Sequence, residues 1–155
     1  MKLIANSNIL FTLIISGKRG RIHRILRKYD KHLFMPEEAL YEYRKYLKLL
    51  RDKAKELESR TLLAFTLVNI IPIEIYYEKI EEALNIAKQF DEKDAPFIAF
   101  ALKLNLPKWT EDRKMLKFAF KPGKYIAFDT RAIEDLLKGK ETRGVLEYLK
   151  KRLKL

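Results

Sequence analysis

The fold is decided by residues 91–116, which read DEKDAPFIAFALKLNLPKWTEDRKML. Residues 95–104 are apolar on nearly every side, and such a segment is typical of a buried helix. We expect Lys108 and Trp109 to end a short strand, and Thr110 to cap the helix that follows. A buried helix, a strand and a second helix in succession indicate a sheet whose strands are joined by helices.

The rest of the chain repeats this alternation. Apolar residues from Leu40 to Leu57 recur at steps of three and four, so Pro36 is predicted to open one long helix. The pattern predicts an α/β fold with three α/β/α layers and a central, mostly parallel sheet of four to five strands. The other strands are predicted at 2–5, 33–35, 70–73 and 125–128, and the other helices at 9–15, 21–29, 60–68, 76–90, 131–137 and 143–153.

Length and charge narrow the classes of function. A chain of 155 residues suits one domain, residues 1–155, with a basic helical segment at 143–155. Lys and Arg number 33 against 21 Asp and Glu, a net charge of +12, which favours a polyanionic partner such as RNA. The absence of Cys excludes disulfides, thiolate metal sites and Cys nucleophiles.

Two apolar segments raise the question of a membrane. The segments at 1–15 and 62–77 are both interrupted by polar residues and fall short of spanning length. We therefore expect no membrane association and a cytoplasmic location.

Polar clusters stand at or just after the predicted strand ends. In a parallel sheet, ligands collect at the carboxyl ends of the strands, so these residues are expected to meet there. Glu42 lies about 100° from the centre of the Leu40–Leu57 stripe, at the edge of the buried face. Taken singly, each acid also fits a helix cap or a solvated surface. The clusters are Asn6-Ser7-Asn8, Glu38 with Glu42, Asp91 with Asp94, and Thr110 with Asp112.

Three segments, in this order, resemble the PIN-domain family of metal-dependent ribonucleases. They are KLIANSNILFTLI at 2–14, MPEEALYEYRKYL at 35–47, and the 91–116 segment. Glu42 falls at an acidic position of the family, and Asp94 opens a helix as the family pattern requires. Thr110-Glu111-Asp112 is similar to its Thr-x-Asp element.

The resemblance implies an endoribonuclease that hydrolyses RNA phosphodiester bonds with a water activated by Mg²⁺ or Mn²⁺. Glu42, Asp94 and Asp112 are the expected catalytic metal ligands, with Asn6 and Asp91 as further ligands. An antitoxin-type protein partner and a homodimer are family implications as well. The expected substrate contacts are Ser7, Asn8, Thr110, Lys18, Arg19 and Arg21.

Asn6 departs from the family pattern, which has Asp at this position. An amide oxygen can ligate a hard cation but brings no negative charge. Three explanations stay open. In the first, the Asn is a deliberate substitution that disables the enzyme, and in the second it is a natural residue beside which Asp91 serves as a further metal ligand. In the third, the protein has lost catalysis and only binds RNA. A helical DNA-binding or scaffold protein, with the acids as caps, is the alternative from another class.

Basic and aromatic residues supply further candidates for RNA binding. Tyr41, Tyr46 and Trp109 could stack on unpaired bases, with ordinary packing as the alternative. Phosphate contacts are expected from two basic clusters, Lys18, Arg19, Arg21, Arg24, Arg27 and Lys28, and Lys150, Lys151, Arg152 and Lys154.

Overall fold

A five-stranded, all-parallel sheet forms the centre of the computed structural model, which describes residues 1–121 and 125–155. The strand order is β3-β2-β1-β4-β5, and all four pairings are parallel. Parallel neighbours need crossover connections, and the helices that make them cover the faces of the sheet. The strands are β1 (Leu3–Ala5), β2 (Leu33–Pro36), β3 (Val68–Ile71), β4 (Lys108–Trp109) and β5 (Ala127–Phe128).

Ten α-helices flank this sheet within the described residues, and the predicted three-layer α/β/α fold is confirmed. The helices are α1 (Ser7–Ser16), α2 (Arg21–Lys28), α3 (Glu38–Lys45), α4 (Leu47–Lys53), α5 (Leu57–Phe65), α6 (Ile80–Ala87), α7 (Ala95–Leu104), α8 (Arg113–Phe118), α9 (Thr130–Leu137) and α10 (Thr142–Arg152).

The core lies around the central strands. All three residues of β1 are buried, and α7 buries Phe97, Ile98 and Phe100 as its apolar sequence predicts. Trp109 of β4 has no exposed surface, and its indole Nε1 donates to Thr130 Oγ1 at 3.0 Å. Each large apolar side chain buried here contributes about 1.5–3 kcal/mol, so the sheet centre is the rigid frame of the molecule.

The single long helix predicted from Pro36 is wrong. Pro36 ends β2, and three separate helices follow it, α3, α4 and α5. Helical geometry stops at Tyr46 (φ −101°, ψ 13°), and the chain is extended at Ala54 and left-handed at Glu56. Most of the apolar residues still face the core on both sides of these breaks, because each of the three short helices packs against α1.

Two other helix boundaries also differ from prediction. The helix expected at 76–90 is reduced to α6, which two short 3-10 turns precede. Val68, expected at the end of a helix, begins β3 and pairs with Leu33. The local sequence favours a helix at Val68, but hydrogen bonding to β2 makes this residue part of a strand.

Asp129 joins the C-terminal helix to the sheet. Its carboxylate caps α9 by accepting from the Ala132 N–H at 2.9 Å, and it accepts two bonds from the Arg152 guanidinium of α10. Burial alone would raise the pKa of Asp129, but the bonds from Arg152 and Ala132 hold it below its ordinary value. The ion pair therefore stabilises the folded state at neutral pH.

Asp129→Asn is expected to lower the free energy of unfolding by about 1–3 kcal/mol at about pH 7, because it removes the charge that pairs with Arg152. The folded-state pKa of Asp129 is depressed, so its contribution is present above about pH 4 and is lost as the pH falls through the folded value. Urea unfolding at about pH 7 and about pH 3 measures the difference.

Glu147→Gln is the matched control, because Glu147 pairs with Arg143 on the exposed side of α10. It is expected to change the stability by less than about 0.5 kcal/mol. An equal loss for Asp129→Asn at both pH values would contradict the ionic account.

Candidate active site

Three neighbouring strands, β1, β4 and β5, end together at the carboxyl edge of the sheet. The backbone N–H of Asn6 donates to the Trp109 carbonyl at 3.1 Å, and the N–H of Thr110 donates to the Phe128 carbonyl at 3.0 Å. Asn6 and Thr110 are 104 positions apart in the chain, and parallel pairing sets them side by side. The predicted meeting of the N-terminal and Thr-x-Asp segments is therefore present in the structure.

A small hydrogen-bond network holds the two asparagines. Asn6 Nδ2 donates to Thr110 Oγ1 at 3.2 Å and lies 2.8 Å from Met115 Sδ, and Asn8 Nδ2 donates to Thr110 Oγ1 at 3.4 Å. The oxygens Oδ1 of Asn6 and Asn8 are buried without a hydrogen-bond partner among the described residues. The network thus occupies the amide nitrogens and leaves both oxygens for a ligand.

An open cleft of about 440 Å³ lies above this network. Glu42 comes from α3, whereas Asp94 and Asp112 are the residues immediately before α7 and α8. The three acids expected at the site therefore line one cleft. The polar residues of its wall are Asn6, Ser7, Asn8, Thr12, Glu42, Lys53, Asp94 and Asp112.

Other predicted site residues lie elsewhere. Asp91 lines an adjoining groove, and its carboxylate accepts from the Lys93 N–H at 3.0 Å. Lys18 and Arg19 line a separate depression beyond the far end of α1, and Arg21 pairs with Glu134 at 2.9 Å. None of these four residues is among those that line the cleft.

Asp94 and Asp112 both precede helices, but they differ in capping. The predicted Thr110 cap is wrong, because Asp112 Oδ1 accepts from the N–H groups of Lys114 at 2.8 Å and Met115 at 3.1 Å. Asp94 occupies the corresponding position of α7 and makes no side-chain cap bond. The Asp94 carboxylate is therefore not committed to its own helix.

Burial and nearby carboxylates raise the pKa values of Asp94 and Glu42 in the cleft. Burial raises the pKa of Asp94 to about 6, and the nearby carboxylates add to the rise, whereas Lys108 opposes it. Burial also raises the pKa of Glu42, and the Ser7 hydroxyl offsets part of that rise. Such shifts show that the carboxylates lie within electrostatic reach of one another.

Lys108 is the residue that our sequence analysis missed as part of this site. It is 1% exposed in β4, its amine has no hydrogen-bond partner among the described residues, and it lies 5.5 Å from the centre of the Phe97 ring. Burial lowers its pKa to about 7, although Asp94, Asp112 and Glu42 raise it. A lysine within the apolar strand segment LPKW is the signal that could have revealed it.

The donor set fits a hard divalent cation. Asp94, Asp112 and Glu42 offer carboxylate oxygens, and Asn6 and Asn8 offer the unpartnered amide oxygens. Across residues 1–121 and 125–155, no three acidic or imidazole groups are already drawn together as a metal-ligand cluster. The candidate oxygen donors therefore line the cleft without being drawn together around a single centre.

An α/β protein with an acidic cleft at the carboxyl edge of a parallel sheet is the class that the fold and the cleft define. The family model described as PIN domain matches residues 4–149, and the chain belongs to the PIN-domain family. PIN domains are generally nucleases that act on RNA, and they typically use divalent metals. No curated protein is similar enough to the chain to count as a match. In the described part of the chain, no helix has the length and apolarity needed to cross a membrane.

Lys108→Met is expected to raise the free energy of unfolding by about 1–3 kcal/mol below about pH 7, because it removes an unpartnered buried amine. The folded-state pKa of Lys108, about 7, lies below its ordinary value. At a pH between these two pKa values, the unfolded state therefore binds more protons than the folded state. The wild type regains stability as the pH rises through this window. Thermal unfolding across the window should show the advantage of the variant shrinking toward about pH 10.

Lys103→Met is the matched control, because Lys103 lies on α7, is exposed and pairs with Glu78. It should change stability little at any pH in the window. A Lys108→Met variant that is less stable than the wild type at about pH 6 would show that the ammonium is needed by the carboxylates.

Proposed function

We propose that the chain is a metal-dependent endoribonuclease. The observation that carries this proposal is the gathering of Glu42, Asp94 and Asp112 in one cleft beside the unpartnered oxygen of Asn6. These residues come from four separated parts of the sequence, and capping accounts for Asp112 alone. A hydrolase that uses metal-bound water needs oxygen donors in a cleft that a phosphate can enter.

The residues of the cleft have distinct tasks in this proposal. A bound Mg²⁺ or Mn²⁺ would neutralise the scissile phosphate and lower the pKa of the attacking water. Thr110 holds the amides of Asn6 and Asn8 so that their oxygens stay directed away from the network. Asp112 uses Oδ1 for the cap, and Oδ2 takes no part in that cap and can face a ligand.

The basic surface would hold the RNA strand. The net charge of +12 attracts phosphates over long range, and such contacts carry little sequence information. Lys18, Arg19 and Arg21 lie outside the cleft, so we propose that they bind the strand away from the cut bond. The antitoxin-type partner, the homodimer and the cytoplasmic location stay predictions.

A catalytically silent RNA-binding module is the second candidate, and two residues favour it. Asn6 lacks the negative charge that the family pattern has at this position, and Lys108 adds a buried amine that interacts electrostatically with the acids. Both features reduce the net negative charge available to a divalent cation. Cleavage assays separate the two candidates.

Asp94→Asn/Asp112→Asn is expected to lower the rate of RNA cleavage in Mn²⁺ by roughly 100-fold or more, because metal ligands supply several kcal/mol of charge stabilisation. The measurement is single-turnover cleavage of a labelled single-stranded RNA at about pH 8, where Asp94 is ionised. Asp30→Asn/Asp52→Asn is the matched control, because it removes two exposed carboxylates outside the cleft and should leave the rate unchanged. Equal cleavage by the wild type and the Asp94/Asp112 variant would sink the enzyme proposal.

Asn6→Asp is expected to raise the cleavage rate by about tenfold or more and to lower the Mn²⁺ concentration needed, because it adds a charged ligand. The measurement is a titration with Mn²⁺ under the same conditions. Asn85→Asp adds the same charge at an exposed position of α6 outside the cleft and should not give this gain. An Asn6→Asp variant no more active than the wild type would count against Asn6 as a position for metal.

A further inference from the structure

The cleft extends beyond its acids as an apolar groove between α1 and α4. Phe11 and Ile15 of α1 form one wall, and Leu49 and Leu50 of α4 contribute the other. Phe11 follows Ser7 by four residues, so it lies about 6 Å farther along α1 from the acidic end. Leu49 is 48% exposed, which leaves apolar surface open beside the candidate metal site.

Tyr46 stands at the break between α3 and α4, where the predicted long helix was wrong. Its backbone N–H donates to the Glu42 carbonyl, and its carbonyl accepts from the Leu50 N–H, both at 3.0 Å. Its ring meets the Phe11 ring edge-to-face, with centroids 5.7 Å apart and planes at 67°. Tyr46 remains 38% exposed, so this aromatic pair is fixed in place and yet open to solvent.

Positive charge accompanies the aromatic pair. Lys45 Nζ lies 5.7 Å from the centre of the Tyr46 ring, and Lys53 lines the same groove. The acids that line the cleft, in contrast, come from the carboxyl edge of the sheet and from the α3 turn before Tyr46. An aromatic surface flanked by lysines complements a ligand with a flat π face and an anionic backbone.

We propose that Phe11 and Tyr46 form a stacking subsite for an unpaired nucleobase, and that Lys45 and Lys53 contact the phosphates on either side. The subsite lies beside the cut bond, and this part of the proposal rests on the proposed nuclease function. Base faces are covered by their neighbours in a duplex and are free in a single strand. The subsite therefore selects single-stranded RNA and tolerates any base, because every base has a π face.

The test compares binding of two single strands with the same phosphates, one intact and one fully abasic. Anisotropy of a labelled RNA of about ten nucleotides, with a chelator present so that no strand is cut, gives each Kd. The wild type should prefer the intact strand by roughly 5- to 150-fold, the range expected for loss of one stacked base. Phe11→Ala/Tyr46→Ala should bring this preference close to one and leave the affinity for the abasic strand unchanged.

Three variants make the comparison specific. Tyr46→Phe retains the ring and should keep the preference, as should Tyr77→Ala, which removes an exposed tyrosine outside the cleft. Phe11→Leu fills the same space without a ring and should lose part of the preference even if the alanine variant does not fold. Retention of the full preference by Phe11→Leu would remove Phe11 from the subsite.

Two results would overturn the proposal. One is equal affinity of the wild type for the intact and abasic strands. The other is an unchanged preference for the intact strand in Phe11→Ala/Tyr46→Ala. If that variant also loses self-association in light scattering, Phe11 and Tyr46 form a contact between two copies of the chain. Cleavage in Mn²⁺ is scored separately, so a chain that prefers intact RNA but never cuts it keeps the subsite and loses the nuclease function.

Discussion

The parallel pairing of β1 with β4 is the constraint on which the candidate site depends. The bond from the Asn6 N–H to the Trp109 carbonyl continues the ladder past Ala5, so the chain leaves both strands at the same edge. Thr110 Oγ1 can then accept a hydrogen bond from the Asn6 amide, and Asp112, two residues after Thr110, lies at the same edge of the sheet. An antiparallel pairing would send the two segments to opposite edges, and no shared cleft would form.

Electrostatic conflict is built into this edge. Burial and mutual repulsion disfavour ionised Asp94 and Glu42, while burial also disfavours a charged Lys108. Burial of apolar residues at the sheet centre, including Trp109 and α7, offsets the loss of stability that these buried charges cause. Lys108 relieves part of the repulsion, and in the proposed nuclease a bound cation would relieve more of it, so the charge of this lysine would affect the affinity for metal.

Two departures from local helix rules shape the cleft. Asp94 stands at a cap position without capping, which leaves its carboxylate for the cleft, whereas Asp112 serves its helix with Oδ1. The helix break at Tyr46 turns an aromatic ring toward Phe11 and opens the groove between α1 and α4. Residues that break local patterns are often those used in function, because folding alone does not require them.

The amino-acid sequence by itself determined the alternation of strands and helices, the parallel α/β class and the polar clusters after the strands. Apolar periodicity and polar residues after strands are local signals, so they survive without knowledge of distant contacts. The family resemblance of three segments then singled out Glu42, Asp94 and Asp112 among those clusters. Only the tertiary structure decided the break at Tyr46, the burial of Lys108 and the position of Lys18, Arg19 and Arg21 outside the cleft. These features depend on packing between segments far apart in the chain, and that packing overrides what each segment would prefer alone.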